Sequence, residues 1–346
     1  MTKIMGIDLG KFKSVACLFN SADGEYSYRT LRTTPVALRE LLTGESPDRV
    51  VIEIGAQAGW IADLCESLGI ELQVANPHHD AWRWKNVRRK TDRDDAVRLA
   101  QMSEMGTLPT VHMPKAAIRQ WRSFIAYRHS LVTRRTAIKN NIRSILDQQG
   151  ISWPSGRAGW TKKTLQMLCT YTSEVSEGKA SELWRMQLLL EHKSLQQMEE
   201  MITLIEDKLD AVAMADERVR RLRTVPGIGP RLAELVVAVI DDPHRFKTAK
   251  QLGAYAGLVP KQYESGTMSR QGRITCRGNS LLRAVLVEVG WMMRRYNTWF
   301  EEIFDRVCRG AKTRKKIAVV AVARRILICC WAMLRDRTDW RCPVPT

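Results

Sequence analysis

Short apolar runs open the chain, and long three-four spaced runs follow. Lys3 to Leu9 reads as a strand closing on Asp8-Leu9-Gly10, and Ser14 to Phe19 and Tyr26 to Leu31 as two more strands around the turn Ala22-Asp23-Gly24. Pro35 to Leu42 has helical spacing. Arg49 to Ile54 (Val-Val-Ile-Glu-Ile) is a buried strand with Glu53 near its end. Trp60 to Leu68 is a helix closed by Gly69, and Glu71 to Ala75 another strand. A three-strand meander followed by strand–helix alternation predicts a mixed sheet with helices packed on it.

Beyond it the period changes to that of helices. A helix starts near Asp92 and runs to about Met105. In Ala116 to Gln149, Ile118, Trp121, Ile125, Val132, Ile138, Ile142 and Ile145 recur mostly at three, four or seven. Loops surround a short helix at Lys163 to Cys169. From Glu182 to about Ala213, the positions Leu195, Met198, Ile202, Ile205, Leu209 and Val212 form a coiled-coil-like seam, open to an intramolecular partner or a second copy. Leu232 to Ile240, Ser280 to Arg295 and Lys315 to Leu334 close the chain as helices, with Ser269 to Asn279 a basic, glycine-rich loop. The pattern gives three segments: an α/β domain at 1–112, a helical, coiled-coil-like linker at 113–215, and a mostly helical domain at 216–346.

Charge narrows the function. Lys and Arg number 55 against 37 Asp and Glu, for a net +18, a balance that points to a polyanion. Met1 to Gly10 holds no signal-like apolar region, and Arg324 and Arg325 interrupt Ile317 to Leu334, so no membrane attachment is expected. The eight cysteines form no CxxC pair, which suits a reduced, cytoplasmic protein. Trp82, Arg83, Lys85, Arg88, Arg89 and Lys90 form a cationic and aromatic run. Arg119, Arg122, Lys139 and Arg143 lie off the apolar stripe of the first long helix, and Arg270, Arg273 and Arg277 stud the late loop. All are candidate nucleic-acid contacts. Gly227 and Gly229, in Val-Pro-Gly-Ile-Gly, suit the hairpin of a helix-hairpin-helix-like motif, where a phosphate can approach backbone amides.

Against this basic background the acids stand out. Asp8 and Glu53 each end an apolar strand, where an ionised carboxylate is costly unless paired or bound to a cation. Asp92 and Asp95 share a helix face at i,i+3, whereas Asp94 points elsewhere. Together the four could hold divalent ions, magnesium or manganese by their oxygen donors, clamping the attacking and leaving oxygens of a phosphodiester. The alternative is ordinary helix capping by Thr91 or Asp92 and salt-bridging by Glu53.

At this point the residues resemble one family, the DEDD transposases of the insertion-sequence-110 type. Asp8 in Gly-Ile-Asp-Leu-Gly, Glu53 in Val-Ile-Glu-Ile-Gly, and Asp92 with Asp95 in Lys-Thr-Asp-x-x-Asp-Ala match its acids in order. Val-Pro-Gly-Ile-Gly, Ala-Gly-Leu-Val-Pro and Gly-Arg-Ile-Thr-x-x-Gly-Asn-Ser match its C-terminal domain. The resemblance implies an RNase H-like (RuvC-like) N-terminal domain holding magnesium through Asp8, Glu53, Asp92 and Asp95. It also implies a C-terminal transposase domain whose serine, here Ser265 in Glu-Ser-Gly, attacks DNA to form a 5′-phosphoserine link. It further implies donor and target DNA as partners, an element-encoded structured (bridge) RNA as guide, and assembly as dimers and tetramers. On the residues alone Ser265 is a turn serine with Ser269 and Ser280 as rivals. Three other readings are weighed: a RuvC-like, water-using nuclease of the Holliday-junction resolvase type, an actin-like ATPase or sugar kinase, and a non-catalytic RNA-binding protein. The ATPase or kinase reading lacks a second Asp-x-Gly loop and leaves the charge unexplained.

Overall fold

In the computed structural model, which describes residues 2–76, 91–172, 179–265 and 268–342, alternation along the first strand sets the layering of the N-terminal unit. This unit, Met1–Arg119, is one of two compact units; the other is Gln120–Thr346. Strands β1 (Lys3–Leu9), β2 (Lys13–Asn20), β3 (Tyr26–Arg32), β4 (Arg49–Glu53) and β5 (Glu71–Ala75) form one sheet in the order β3-β2-β1-β4-β5. The meander is antiparallel and β1, β4 and β5 run parallel. This is the mixed sheet the alternation predicts.

Odd positions of β1, Met5 and Ile7, join Val50, Ile52 and Val74 in a core with Leu38 and Leu42 of α1 (Pro35–Glu45) and Ile61 and Leu64 of α2 (Ala58–Leu68). On the opposite face, Ile4, Val51 and Ala75 pack against Leu99 and Ala100 of α3 (Asp92–Glu104). Gly6 shares this second face and marks the crossing of α3 over β1. A Cβ there would sit 2.1 Å from the Ala96 carbonyl oxygen and 3.0 Å from the Ala100 nitrogen. Both partners are backbone, so nothing can rotate aside. Gly6→Ala is expected to cost about 1–3 kcal/mol of overpacking, read as a lower midpoint in thermal unfolding followed by circular dichroism.

In the second unit, α4 (Ala116–Gln148) and α6 (Leu183–Ala215) lie antiparallel, tied by ion pairs from Arg128 to Glu206 and from Lys139 to Glu199 and by a hydrogen bond from Asn141 to Glu191. Ile142, Ile145 and Leu146 of α4 share a core with Leu188 and Leu195 of α6 and Leu168 of α5 (Lys162–Thr172). The α6 seam thus has a partner within its own chain. Leu195, Ile202, Ile205 and Leu209 are buried, but Val212 is 47% exposed.

Helix α7 (Glu217–Leu222) turns through Val225 to Gly229 into α8 (Pro230–Ile240), and α9 (Ala249–Tyr255) follows. An exposed antiparallel hairpin of β6 (Pro260–Ser265) and β7 (Met268–Ile274) comes next, so that the first half of Ser269 to Asn279, expected to be a loop, is instead strand. Then come α10 (Ser280–Met293), α11 (Thr298–Cys308) and α12 (Lys315–Asp336). The Lys312–Asp336 segment is long and apolar enough to cross a membrane by length and composition, although Arg324 and Arg325 interrupt it. More than half of its apolar window (56%) is buried inside the protein, against α10 and α11 among other elements, which is the setting of a core helix.

Candidate functional site

Two of the four acids, Asp8 and Glu53, are brought to one end of the first unit by strand register alone. Ile7 of β1 pairs with Ile52 of β4, so the next residues along these parallel strands, Asp8 and Glu53, are lateral neighbours. Asp8 lies two residues past Gly6, and Glu53 two past Val51. Both therefore face the side that α3 covers, since side chains alternate along a strand.

The direction of α3 completes the arrangement. Near its C-terminal end, Ser103 accepts a hydrogen bond from Arg49 Nη1 (3.3 Å), at the start of β4. The Gln101 amide donates to the Tyr26 hydroxyl (2.7 Å), at the start of β3. One helical stretch earlier, the Arg93 guanidinium lies over the Tyr28 ring, 5.2 Å from its centroid. The helix thus runs antiparallel to β1 and β4, and its first turn, with Asp92 and Asp95, stands over the strand ends that carry Asp8 and Glu53.

Asp92 and Asp94 are exposed, while Asp95 is 9% exposed. Asp94 belongs to a capping box. Its carboxylate accepts from the Thr91 backbone N–H (3.0 Å) and hydroxyl (2.7 Å), and its own N–H donates back to the Thr91 hydroxyl oxygen (3.3 Å). Such a box satisfies orphan amides of the first turn. The cap expected from Thr91 or Asp92 is therefore made by Thr91 and Asp94, leaving Asp92 and Asp95 on the sheet-facing side of the turn.

The donor set suits a hard divalent cation, because all four groups are carboxylates. Among the described residues, no three His, Cys, Asp or Glu side chains are grouped as a ready metal cage. The backbone delivers the acids to one end without drawing their oxygens around one point.

Ser265 is the last residue of β6, exposed at the hairpin tip, with Met268 as its partner across the strands. Among the described residues its hydroxyl has no hydrogen-bond partner. Its neighbour Glu264 accepts from the Gln262 amide and, at 3.5 Å, from the Ser269 hydroxyl. Of the rival serines, Ser269 faces that carboxylate, and Ser280 opens α10.

The expected nucleic-acid contacts divide sharply. Trp82, Arg83, Lys85, Arg88, Arg89 and Lys90 lie outside the described residues. Arg119 is held within the first unit by Asp63 (2.5 Å) and the Pro114 carbonyl (2.6 Å). Arg122 donates to the Ala238 and Val239 carbonyls at 2.6 and 3.0 Å, capping the end of α8, and burial pushes its pKa down. Both serve the fold, so a backbone-contact role is not carried forward for them. Lys139 and Arg143 flank the Trp160 ring at 4.9 and 5.0 Å, with Lys139 also paired to Glu199.

Arg270 and Arg273 are exposed on β7, and Arg277 is exposed beyond it. Gly227 has φ +94°, and a Cβ there would meet Met293 Sδ at 2.6 Å, so the turn before α8 requires it. Gly229 is the N-cap of α8, with open space where a Cβ would be.

Sequence reasoning missed a group of arginines, Arg220, Arg221, Arg337 and Arg341, which line one cleft of the second unit. Over a hundred residues separate its two halves, and no local motif announces it.

Comparison with known proteins agrees with the motifs. The Transposase IS116/IS110/IS902 family matches residues 219–305, and a DEDD transposase family of the IS110 type matches residues 5–151. The chain is 32% identical over 311 residues to a probable family 20 transposase of Pseudomonas aeruginosa, covering 88% of this chain and 89% of that one. It is 27% identical over 348 residues to the transposase for insertion sequence element IS1111A of Coxiella burnetii, covering 98% and 92%. A Thermus thermophilus RuvC structure is similar over 32% of this chain and 99% of that one, at 15% identity and a TM-score of 0.24. The mixed sheet is described by its own strand pairing and not by that superposition.

Proposed function

The chain belongs to the IS110 family of insertion-sequence transposases, and we propose that it is a DNA recombinase that cuts and rejoins strands through Ser265 with the four acids holding divalent metal. The observation that carries the reading is the delivery of Asp8, Glu53, Asp92 and Asp95 to one end of the sheet. Four carboxylates so placed repel one another and favour a bound cation. Magnesium, or manganese in its place, would lower the pKa of an oxygen nucleophile and offset charge on the scissile phosphate.

Within this reading residues 1–112 bind metal, 113–215 supply helices for RNA contact and self-association, and 216–346 present the nucleophile. The Ser265 oxygen forms a bond to phosphorus while the bond from phosphorus to the 3′-oxygen breaks. The departing 3′-oxygen takes a proton, and the 5′-phosphate stays on the serine. A 3′-hydroxyl of the partner strand then attacks the same phosphorus and releases Ser265. Arg270, Arg273 and Arg277, exposed and without an ion-pair partner among the described residues, are well placed to meet the backbone near the hairpin.

Target choice is assigned to a structured RNA from the element, pairing with donor and target, and the working form to a dimer or tetramer. A water-using nuclease of RuvC type is the second reading, favoured by the lack of any base bonded to Ser265 among the described residues.

The test uses the purified full-length chain, supercoiled donor and target plasmids and RNA transcribed from the element's non-coding flank. Recombinant junctions are expected with magnesium and should vanish with EDTA or with the RNA omitted. Junctions of equal yield in EDTA would remove the metal from the reaction. Cleavage without rejoining or a protein–DNA adduct would favour the nuclease.

A further inference from the structure

We propose that the cleft between α7 and the C-terminal stretch 337–341 is a phosphate-binding site that grips the backbone of the DNA on which the transposase acts. The proposal rests on the DNA-recombinase reading above and adds a site to it inside the second unit, lined by none of the residues that reading names as catalytic.

The cleft measures about 720 Å³. Arg220, Arg221 and Thr224 line it from α7 and the turn after it. Arg337, Trp340 and Arg341 line it from the C-terminal side. Two acids, Glu217 and Asp339, share the lining with the four arginines, so positive charge prevails. Both acids are spent on one arginine, since Arg221 pairs with Glu217 and its Nε stands 3.9 Å from Asp339. Among the described residues, the guanidiniums of Arg220, Arg337 and Arg341 have no protein partner, and all three residues are exposed. Holding like charges around one opening costs energy that an anion offsets. Guanidinium forks match phosphate oxygens in geometry.

The cleft is built rather than accidental. Arg337 adopts φ +54° and ends α12 by donating its N–H to the Met333 carbonyl. That reversal turns the chain back toward α7. There the Trp340 N–H donates to the Thr224 hydroxyl oxygen (2.9 Å), whose proton goes to the Arg221 carbonyl (2.7 Å). The Trp340 ring stacks on Phe300, centroids 6.0 Å apart and 15° from parallel. These contacts hold the Arg337 and Arg341 segment opposite Arg220.

Location supplies the choice of phosphate source. Thr224 lies three residues before Gly227, at the entry to the glycine turn that leads into the α8 amides. The cleft, lined by Thr224, thus adjoins that turn along the chain, and two adjoining anion sites suit the linked phosphates of a DNA backbone better than a single free phosphate.

The test is binding of fluorescein-labelled duplexes of two unrelated sequences by the full-length chain, followed by anisotropy over a salt series. In Arg220→Gln/Arg341→Gln, affinity at low salt is expected to fall about tenfold, equally for both sequences. The slope of log K against log salt is expected to shrink by about 2, one per lost phosphate contact. Inorganic phosphate at millimolar concentration should compete little if the site takes backbone. Full loss of the variant-sensitive component in phosphate would make it a free-phosphate site and overturn the DNA assignment. The proposal also fails if the slope is unchanged, or if Arg306→Gln/Arg309→Gln, outside the cleft, lowers it equally. A parent chain that binds no DNA at any salt would instead overturn the recombinase reading itself.

Discussion

Asp8→Asn is expected to abolish strand exchange, with a loss of about three orders of magnitude or more, while leaving the fold intact. The substitution keeps the size of the side chain and removes its charge, so β1 and its pairing with β4 are preserved. A divalent ion contributes several kcal/mol to phosphoryl chemistry, and each 1.36 kcal/mol is a tenfold change in rate. Glu53→Gln, Asp92→Asn and Asp95→Asn should behave alike, because all four acids stand at the same end of the sheet. Asp94→Asn is the internal control. Its carboxylate is occupied by the Thr91 N–H and hydroxyl, so the variant should lose at most about 1 kcal/mol of helix stability and keep activity within a few-fold. Junction yield on plasmids, with circular dichroism of each variant, measures both. An active Asp92→Asn beside a dead Asp94→Asn would reverse the assignment.

The contrast between Asp92 and Asp94 also shows what a sequence can carry. The i,i+3 spacing of Asp92 and Asp95 and the displaced phase of Asp94 are helix geometry, visible without coordinates. The strands that deliver Asp8 and Glu53 were equally legible, as short apolar runs of strand length that are buried on both faces. What spacing could not give was the direction of α3. That depends on Arg49 reaching Ser103 and on Gln101 reaching Tyr26, contacts between residues 54 and 75 positions apart.

The β6–β7 hairpin escaped for a different reason. Every residue of β6 is exposed, as is most of β7, so no apolar face leaves a period to read. Arg119 and Arg122 were misjudged because a helix wheel counts cations without asking what lies opposite. Asp63 and the carbonyl end of α8 come from distant sequence. The α6 seam was legible as apolar, but only its contacts with distant residues, the core shared with Ile142 and Leu168 and the ion pairs to Arg128 and Lys139, say that its partner is in the same chain.

Ser265→Ala is expected to remove the covalent protein–DNA adduct entirely and to reduce strand exchange by about three orders of magnitude or more, since the proposed nucleophile itself is lost. The position argues for this role. Ser265 stands at the tip of an exposed hairpin, where its hydroxyl can approach a phosphate without dragging a core along. An unactivated serine is a weak nucleophile, and among the described residues nothing bonded to Ser265 supplies a base. Activation therefore has to come from outside the hairpin, which links the serine variant to the acid variants. An Asp8→Asn chain should fail to form the adduct although Ser265 is present. Ser269→Ala should keep the adduct, because Ser269 is turned to Glu264 at 3.5 Å rather than presented at the tip. Denaturing gels of the reaction on end-labelled DNA, with peptide mapping of the labelled residue, decide the matter. An adduct that persists in Ser265→Ala, or maps to Ser269 in the parent, would move the nucleophile. Junction formation at the parent rate without any adduct would replace it by water.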